Sequence, residues 1–284
     1  MKKILLIAFC LIPLASYSQT LTACRDSLKG GYNFWFYEPA GIDSTTAKKP
    51  LVIFLHGKSL CGRDLSRVLR YGTIDALKKG RPIDAFVLAP QNPGGSWRPA
   101  KINDLLEWVK ARYDIDTTRV YVLGMSMGGS GTINFVGTYP EKVAAAMALC
   151  GSGALSSYCG LTTVPLWIIH GTADKAVPIS QSHKVVNAMK NCGDTSLLRT
   201  DWLKGVNHSR LARFFYWENT YDWLFAHSLS DTVRAVNQDF SISPATLNEA
   251  YRNLDRTTNN IKVIDSQTPV YKKKSNTTKK QAIK

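Results

Sequence analysis

Apolar runs of strand length recur along the 284-residue chain, and helical patterns separate them. "YNFWFYEP" (32–39), "LVIFLHG" (51–57), "DAFVLAP" (84–90), "RVYVLG" (119–124), "VAAAMALCG" (143–151), "PLWIIHG" (165–171) and "LLRTDWL" (197–203) predict strands. The middle five are apolar almost throughout, as strands covered on both faces are. Helices are predicted over 65–79, 101–113, 129–139 and 180–191. This alternation predicts an α/β fold: a mostly parallel central sheet, flanked by helices and joined by right-handed crossovers. The first strand is expected antiparallel at the sheet edge. Beyond Ser228 the pattern weakens, and one short helix is expected near 244–254.

The two ends read differently from the body. Residues 1–18, with Lys2 and Lys3 ahead of an apolar run and small residues at Ser16 and Ser18, predict a secretory signal peptide. A rival reading takes "LTAC" as a lipoprotein box and places an anchor at Cys24. No later stretch has 18 uninterrupted apolar residues, so no membrane span is expected. The expected organisation is a catalytic domain over 19–228, an appendage of unassigned role over 229–270 and a basic, disordered tail over 271–284. The formal charge of +15 is concentrated at the ends: without the two leader lysines and the six in the last 14 residues, the body keeps +7. An exported chain has no expected nucleic-acid partner, and the tail suits anionic envelope polymers if it binds anything. Export permits disulfides. Cys150 and Cys159 are close enough in sequence to staple one loop. Neither a CxxC pair nor HExxH is present, so no metal site is expected.

Ligands of open α/β sheets bind at the carboxyl ends of the strands. Four predicted strands end near polar groups: His56, Ser126, Asp174 and His208. Ser126 lies in Gly124-Met125-Ser126-Met127-Gly128, between a predicted strand and a predicted helix. Gly-x-Ser-x-Gly in that context exposes a serine hydroxyl on a sharp turn, where side chains two residues away would collide. Serine needs a base, and the base needs an orienting acid. The chain order Ser, acid, His selects Asp174, in the loop of "HGTADKAVP", and His208, in "GVNHS". Asp194 and Asp201 compete less well, one in a turn and one inside a strand pattern. His170 is best read as structural, His183 as a helix-surface residue and His227 as a last-turn residue. The expected oxyanion donors are the backbone N–H groups of Met127 and Lys58.

The segments "PLVIFLHG", "DIDTTRVYVLGMSMGG", "HGTADKAVP" and "GVNHS" resemble secreted esterases of the α/β-hydrolase superfamily. The groups resembled are the phospholipase/carboxylesterase-like enzymes, the feruloyl and polyhydroxybutyrate esterases and the predicted-peptidase hydrolases. The resemblance covers about 32–228. It implies an α/β-hydrolase fold and Ser126, Asp174 and His208 as a catalytic triad, with no cofactor. "HGKSLCGRD" departs from the pattern, because relatives often carry small or acidic residues after His-Gly; Lys58 and Arg63 either favour an anionic substrate group or face solvent. Only 13 residues separate Gly151 from Pro165, so a minimal cap and an open mouth are expected. Trp97, Tyr158 and Trp202 are candidate cleft residues, with packing as the equal alternative. The expected function is ester hydrolysis on a small-molecule or polysaccharide substrate. A peptidase, or an envelope-binding protein on a hydrolase scaffold, is the alternative.

Overall fold

The computed structural model describes residues 18–42, 47–238, 241–254 and 260–265. The expected signal peptide, apart from Ser18, and the lysine-rich tail lie outside the described residues. Among the described residues, nine strands form one sheet: β1 (Thr20–Cys24), β2 (Asn33–Glu38), β3 (Lys49–Leu55), β4 (Phe86–Gln91), β5 (Ile115–Met125), β6 (Ala145–Leu149), β7 (Leu166–Gly171), β8 (Leu198–Leu203) and β9 (Lys262–Ile264). Their spatial order is β8-β7-β6-β5-β3-β4-β2-β1-β9. The run from β4 to β8 is parallel throughout. Among the described residues, six α-helices join or cover the strands: α1 (Thr73–Lys78), α2 (Pro99–Lys110), α3 (Met127–Thr138), α4 (Ser180–Lys190), α5 (Glu218–Phe225) and α6 (Thr246–Glu249).

The sheet is covered on both faces, and the strands divide their side chains by the period of two that pleating imposes. In β2, Trp35 and Tyr37 enter one core while Phe34 and Phe36 enter the other. In β3, Val52 and Phe54 face the first core and Leu51, Ile53 and Leu55 the second. β2 does run antiparallel to β4, but it is not the edge: β1 and β9 lie outside it. The helix expected over 65–79 is broken. A 3₁₀ turn (Leu65–Leu69) and α1 are separated by Gly72, at φ +96°. A Cβ there would sit 2.0 Å from the Phe54 ring, so the chain turns where only glycine fits.

The staple expected between Cys150 and Cys159 does not form. Cys159 pairs with Cys192, tying the loop ahead of β7 to the end of α4. Cys150 is a buried free thiol at the end of β6. Cys24 is buried within β1, between β2 and β9, so lipid attachment there would remove β1 from the sheet.

The described residues 229–238 and 241–254 pack on the body. Val236, Leu247 and Ala250 join the first core. Arg81, 3% exposed, donates to the carbonyls of Tyr216 and Arg252 at 2.8 Å each. Arg234 donates to the Thr163 carbonyl at 2.7 Å.

Candidate active site

One residue, Ser126, separates β5 from α3. It adopts φ 60°, ψ −122°, a conformation that costs a non-glycine residue about 1–3 kcal/mol. The glycines around it explain how so tight a turn is held. A Cβ on Gly128 would lie 1.8 Å from the Leu55 carbonyl oxygen, and one on Gly124 would lie 2.5 Å from the Gly128 oxygen. α3 therefore starts in van der Waals contact with the end of β3, and Ser126 is pushed out between them. Further along, a Cβ on Gly129 would lie 2.4 Å from the Leu149 oxygen, and one on Gly131 would lie 2.7 Å from the Trp97 ring. Those two glycines let α3 pack closely on its neighbours.

Asp174 and His208 are brought together from loops after β7 and β8. His208 Nδ1 donates to Asp174 Oδ2 at 2.7 Å. The other carboxylate oxygen accepts the Ala176 and Val177 amides, at 2.9 Å each. Burial raises the Asp174 carboxyl, but those amides and the His208 imidazole outweigh it and hold it below the usual carboxylate range. The loop is fixed from behind by His170, which lies 2.8 Å from Ser182 Oγ and 3.0 Å from the Val177 carbonyl oxygen. Burial keeps that imidazole neutral by lowering its pKa. The competing acids are engaged elsewhere: Asp201 accepts from the Trp167 indole and from Arg199, and Asp194 accepts from Ser196.

Among the described residues no hydrogen bond joins Ser126 Oγ to His208. Such contacts are commonly loose without substrate. Cys150 links the two positions: its thiol lies 3.5 Å from His208 Nδ1 and also faces the Ser126 backbone amide. Burial, and then the Asp174 carboxylate, push this thiol well above its ordinary range. The donor atoms of Cys150, Asp174 and His208 lie within 4.8 Å of one another. Cys150 thus stands behind the Asp174–His208 pair as a buried free thiol.

The Met127 amide opens α3, where the first N–H groups lack intrahelical partners and the helix dipole favours negative charge. The Lys58 amide opens a 3₁₀ turn (Lys58–Leu60) that follows Gly57. Neither amide has a hydrogen bond among the described residues. A Cβ on Gly57 would lie 3.3 Å from the Met125 oxygen and 3.6 Å from Ser126 Cβ, so this turn packs directly on the serine turn. Three side chains brace it, His56 and Gln91 buried and Tyr71 half-buried. His56 Nδ1 donates to the Gly57 carbonyl at 2.8 Å, and its Nε2 accepts the Asn92 amide at 3.0 Å. The Tyr71 hydroxyl accepts the Gly57 amide at 3.0 Å. Gln91 Nε2 donates to the Leu60 carbonyl at 2.6 Å. Burial lowers the His56 pKa to about 4, so it braces the turn as a neutral imidazole.

The phospholipase/carboxylesterase family profile matches residues 100–218. A thermostable esterase of known structure superposes with a TM-score of 0.57 at 24% identity, over 74% of this chain and 63% of that one. The chain has the α/β-hydrolase fold. Within that fold a peptidase also aligns: the acylaminoacyl peptidase of Pyrococcus horikoshii has a TM-score of 0.52 at 14% identity, over 84% of this chain and 45% of that one. In sequence, the bifunctional acetylxylan esterase/xylanase XynS20E of Neocallimastix patriciarum is 31% identical over 93 residues. That stretch is 33% of this chain and only 13% of the relative's length.

Of the three cleft residues expected from the sequence, Trp97 is buried, and Tyr158 and Trp202 are half-buried. Trp97 is a core residue, 3% exposed, and its indole N–H donates to the His56 carbonyl at 3.0 Å. Its apolar area and its one donor are both satisfied inside, beneath the loop that carries Lys58. Trp202 pairs in register with His170 and meets His183 of α4 edge-on, with centroids 4.6 Å apart. Tyr158 is half-buried and lies close against Gly153 in its own loop. Sequence reasoning missed the braces Tyr71, Gln91 and Asn92 altogether. Its only signal for His56 was the residue's position at a strand end.

Proposed function

We propose that this chain is a secreted serine hydrolase that cleaves carboxylic esters. The observation that carries this reading is the Asp174–His208 pair at 2.7 Å, set at the same sheet edge as a serine held at φ 60° on a glycine-lined turn. In the proposed reaction the His208 Nε2 takes the Ser126 hydroxyl proton as Oγ attacks the ester carbonyl. Asp174 holds Nδ1–H, which fixes the tautomer and stabilises the imidazolium. The Met127 and Lys58 amides receive the oxyanion, each donor typically being worth about 3 kcal/mol. His208 then protonates the leaving alkoxide, and water, activated by the same imidazole, releases the acyl group from Ser126.

Acyl or feruloyl groups on polysaccharide are the proposed substrates, supported by the likeness to an acetylxylan esterase. The leader-like residues 1–18 and the Cys159–Cys192 disulfide support export. The basic tail is proposed as a contact for anionic envelope polymers. The likeness to an acylaminoacyl peptidase supports a second reading, in which the same residues cleave amides. A panel of aryl, acetylated-saccharide and feruloylated esters, with matched peptides, tests these readings. Wild type should cleave the esters, and Ser126→Ala should lose at least ~10³-fold in kcat/KM. Turnover of amides alone would favour the peptidase. Equal inactivity of both proteins on every substrate would favour the binding-protein reading.

A further inference from the structure

The sheet edge that carries the proposed catalytic residues is unevenly charged. Its loops expose Lys58, Arg63 and Arg70 after β3, Arg98 after β4, Lys175 after β7 and Lys204 after β8. None of these six makes an ion pair among the described residues. Three further cations stand in these loops but are committed to backbone: Arg67 donates to the Ser59 carbonyl at 2.9 Å, Arg210 to that of Pro244 at 3.2 Å and Arg213 to that of Leu247 at 3.1 Å. The cations outnumber the acids in the same loops, which are Asp64 and Asp174. Asp64 caps the turn at Leu65–Leu69 through the Ser66 amide, and Asp174 holds His208. The loop after β6, residues 150–158, carries no charge at all.

The opposite end of the sheet is different. There Lys48 pairs with Asp114 at 3.0 Å, Lys49 with Asp84 at 2.7 Å and Lys142 with Glu107 at 3.0 Å. Lys78 and Lys190 make no ion pair there among the described residues, but acids offset other cations at that end, so the larger excess lies at the catalytic edge. Any one exposed cation contributes little binding. Several of one sign around a cleft with low-dielectric walls raise the local concentration of an oppositely charged substrate and its rate of capture.

We infer that the substrate carries a carboxylate beside the scissile ester, as an acylated acidic saccharide does, and that these six cations determine that preference. The inference rests on the ester-hydrolase reading. Its probes are 4-acetoxybenzoate and 4-acetoxybenzamide, which share the acetyl group and ring and differ in charge, each rate being divided by that of hydroxide-catalysed hydrolysis. The corrected kcat/KM ratio, anion over neutral, should be at least ~10 at 10 mM ionic strength and approach unity near 0.5 M, where screening is nearly complete. Arg63→Glu/Arg70→Glu should reduce the low-salt ratio about tenfold and leave the neutral ester unchanged. Lys78→Glu/Lys190→Glu, the same charge change on the last residues of α1 and α4, should leave the ratio within about twofold. A ratio near unity at low salt, with the neutral ester cleaved well, overturns the inference and spares the esterase reading. Equal loss of ratio in both double variants would make the effect one of net charge and also overturn it. Failure to cleave either probe while other esters of the panel are cleaved overturns the inference and spares the esterase reading; failure on every ester removes both.

Discussion

Replacing Gly128 by alanine should damage both the fold and the reaction, and the structure says by how much. The added Cβ would lie 1.8 Å from the Leu55 carbonyl oxygen, 2.6 Å from its carbon and 2.9 Å from the His56 oxygen. An ordinary contact needs about 3.4 Å, so the two backbones must separate by roughly 1.5 Å. Neither can yield by a rotamer change, because all three atoms are main chain. Overpacking that side chains absorb costs about 1–3 kcal/mol; here at least ~3 kcal/mol is expected. The same displacement would part the Lys58 turn from the Met127 amide, and misplacement of about 1 Å can cost ~10²-fold in rate. Gly137→Ala in the same helix is the control. Its Cβ meets Leu155 Cδ1, the free end of a flexible side chain, and alanine favours a helix over glycine by about 1 kcal/mol. Urea denaturation and kcat/KM on 4-acetoxybenzamide should separate the two variants clearly. A Gly128→Ala protein with wild-type stability and rate would refute the account of the turn.

Three further outcomes are expected. Replacing Cys159 and Cys192 by serine should lower stability by about 3–4 kcal/mol, the loop-entropy value for a closure spanning 33 positions, and a fall below about 1 kcal/mol in urea melts would contradict it. Stability should decline as pH drops from about 6.5 to about 4, since unfolded histidine binds a proton there while buried His56 resists until about 4. That histidine contributes up to about 3 kcal/mol; His170 and His227, also held low by burial, act in the same direction, and urea melts at pH 7, 5.5 and 4.5 that show no decline would refute it. Tyr71→Phe removes the acceptor for the Gly57 amide and should reduce kcat/KM on the neutral ester by about 3–30-fold while stability falls by ~1–2 kcal/mol, with equal rates counting against Tyr71 as a brace.

The strands from β2 to β8 were legible because each is an apolar run bounded by turn residues. β1 was not, because "TLTAC" lies just past the expected leader cleavage point and reads only as a rival lipoprotein box. β9 has three residues, two of them exposed, and shows no period. Among the proposed site residues, Ser126, Asp174 and His208 could be picked out because each sits just past a strand, in a chain order that limits the choices. Their supports could not. His56 to Asn92, Gly57 to Tyr71 and Cys159 to Cys192 are contacts across long separations that leave no local pattern. Trp97 was ambiguous for a related reason. Amphipathic rings suit both clefts and cores, and only the partner of the Trp97 indole N–H distinguishes them.

β9 has a consequence for how this chain is made. It covers the outer edge of β1, and the Arg25–Asp265 ion pair beside it joins residues 240 positions apart. During synthesis every other strand can be in place before Lys262 leaves the ribosome. Until then β1 presents an unpaired row of N–H and C=O groups, the kind of edge that recruits a second chain. A chain cut short after α6 would keep Ser126, Asp174 and His208 yet carry that edge uncovered. Its first failing would be aggregation at high concentration, with the chemistry of the remaining monomer intact.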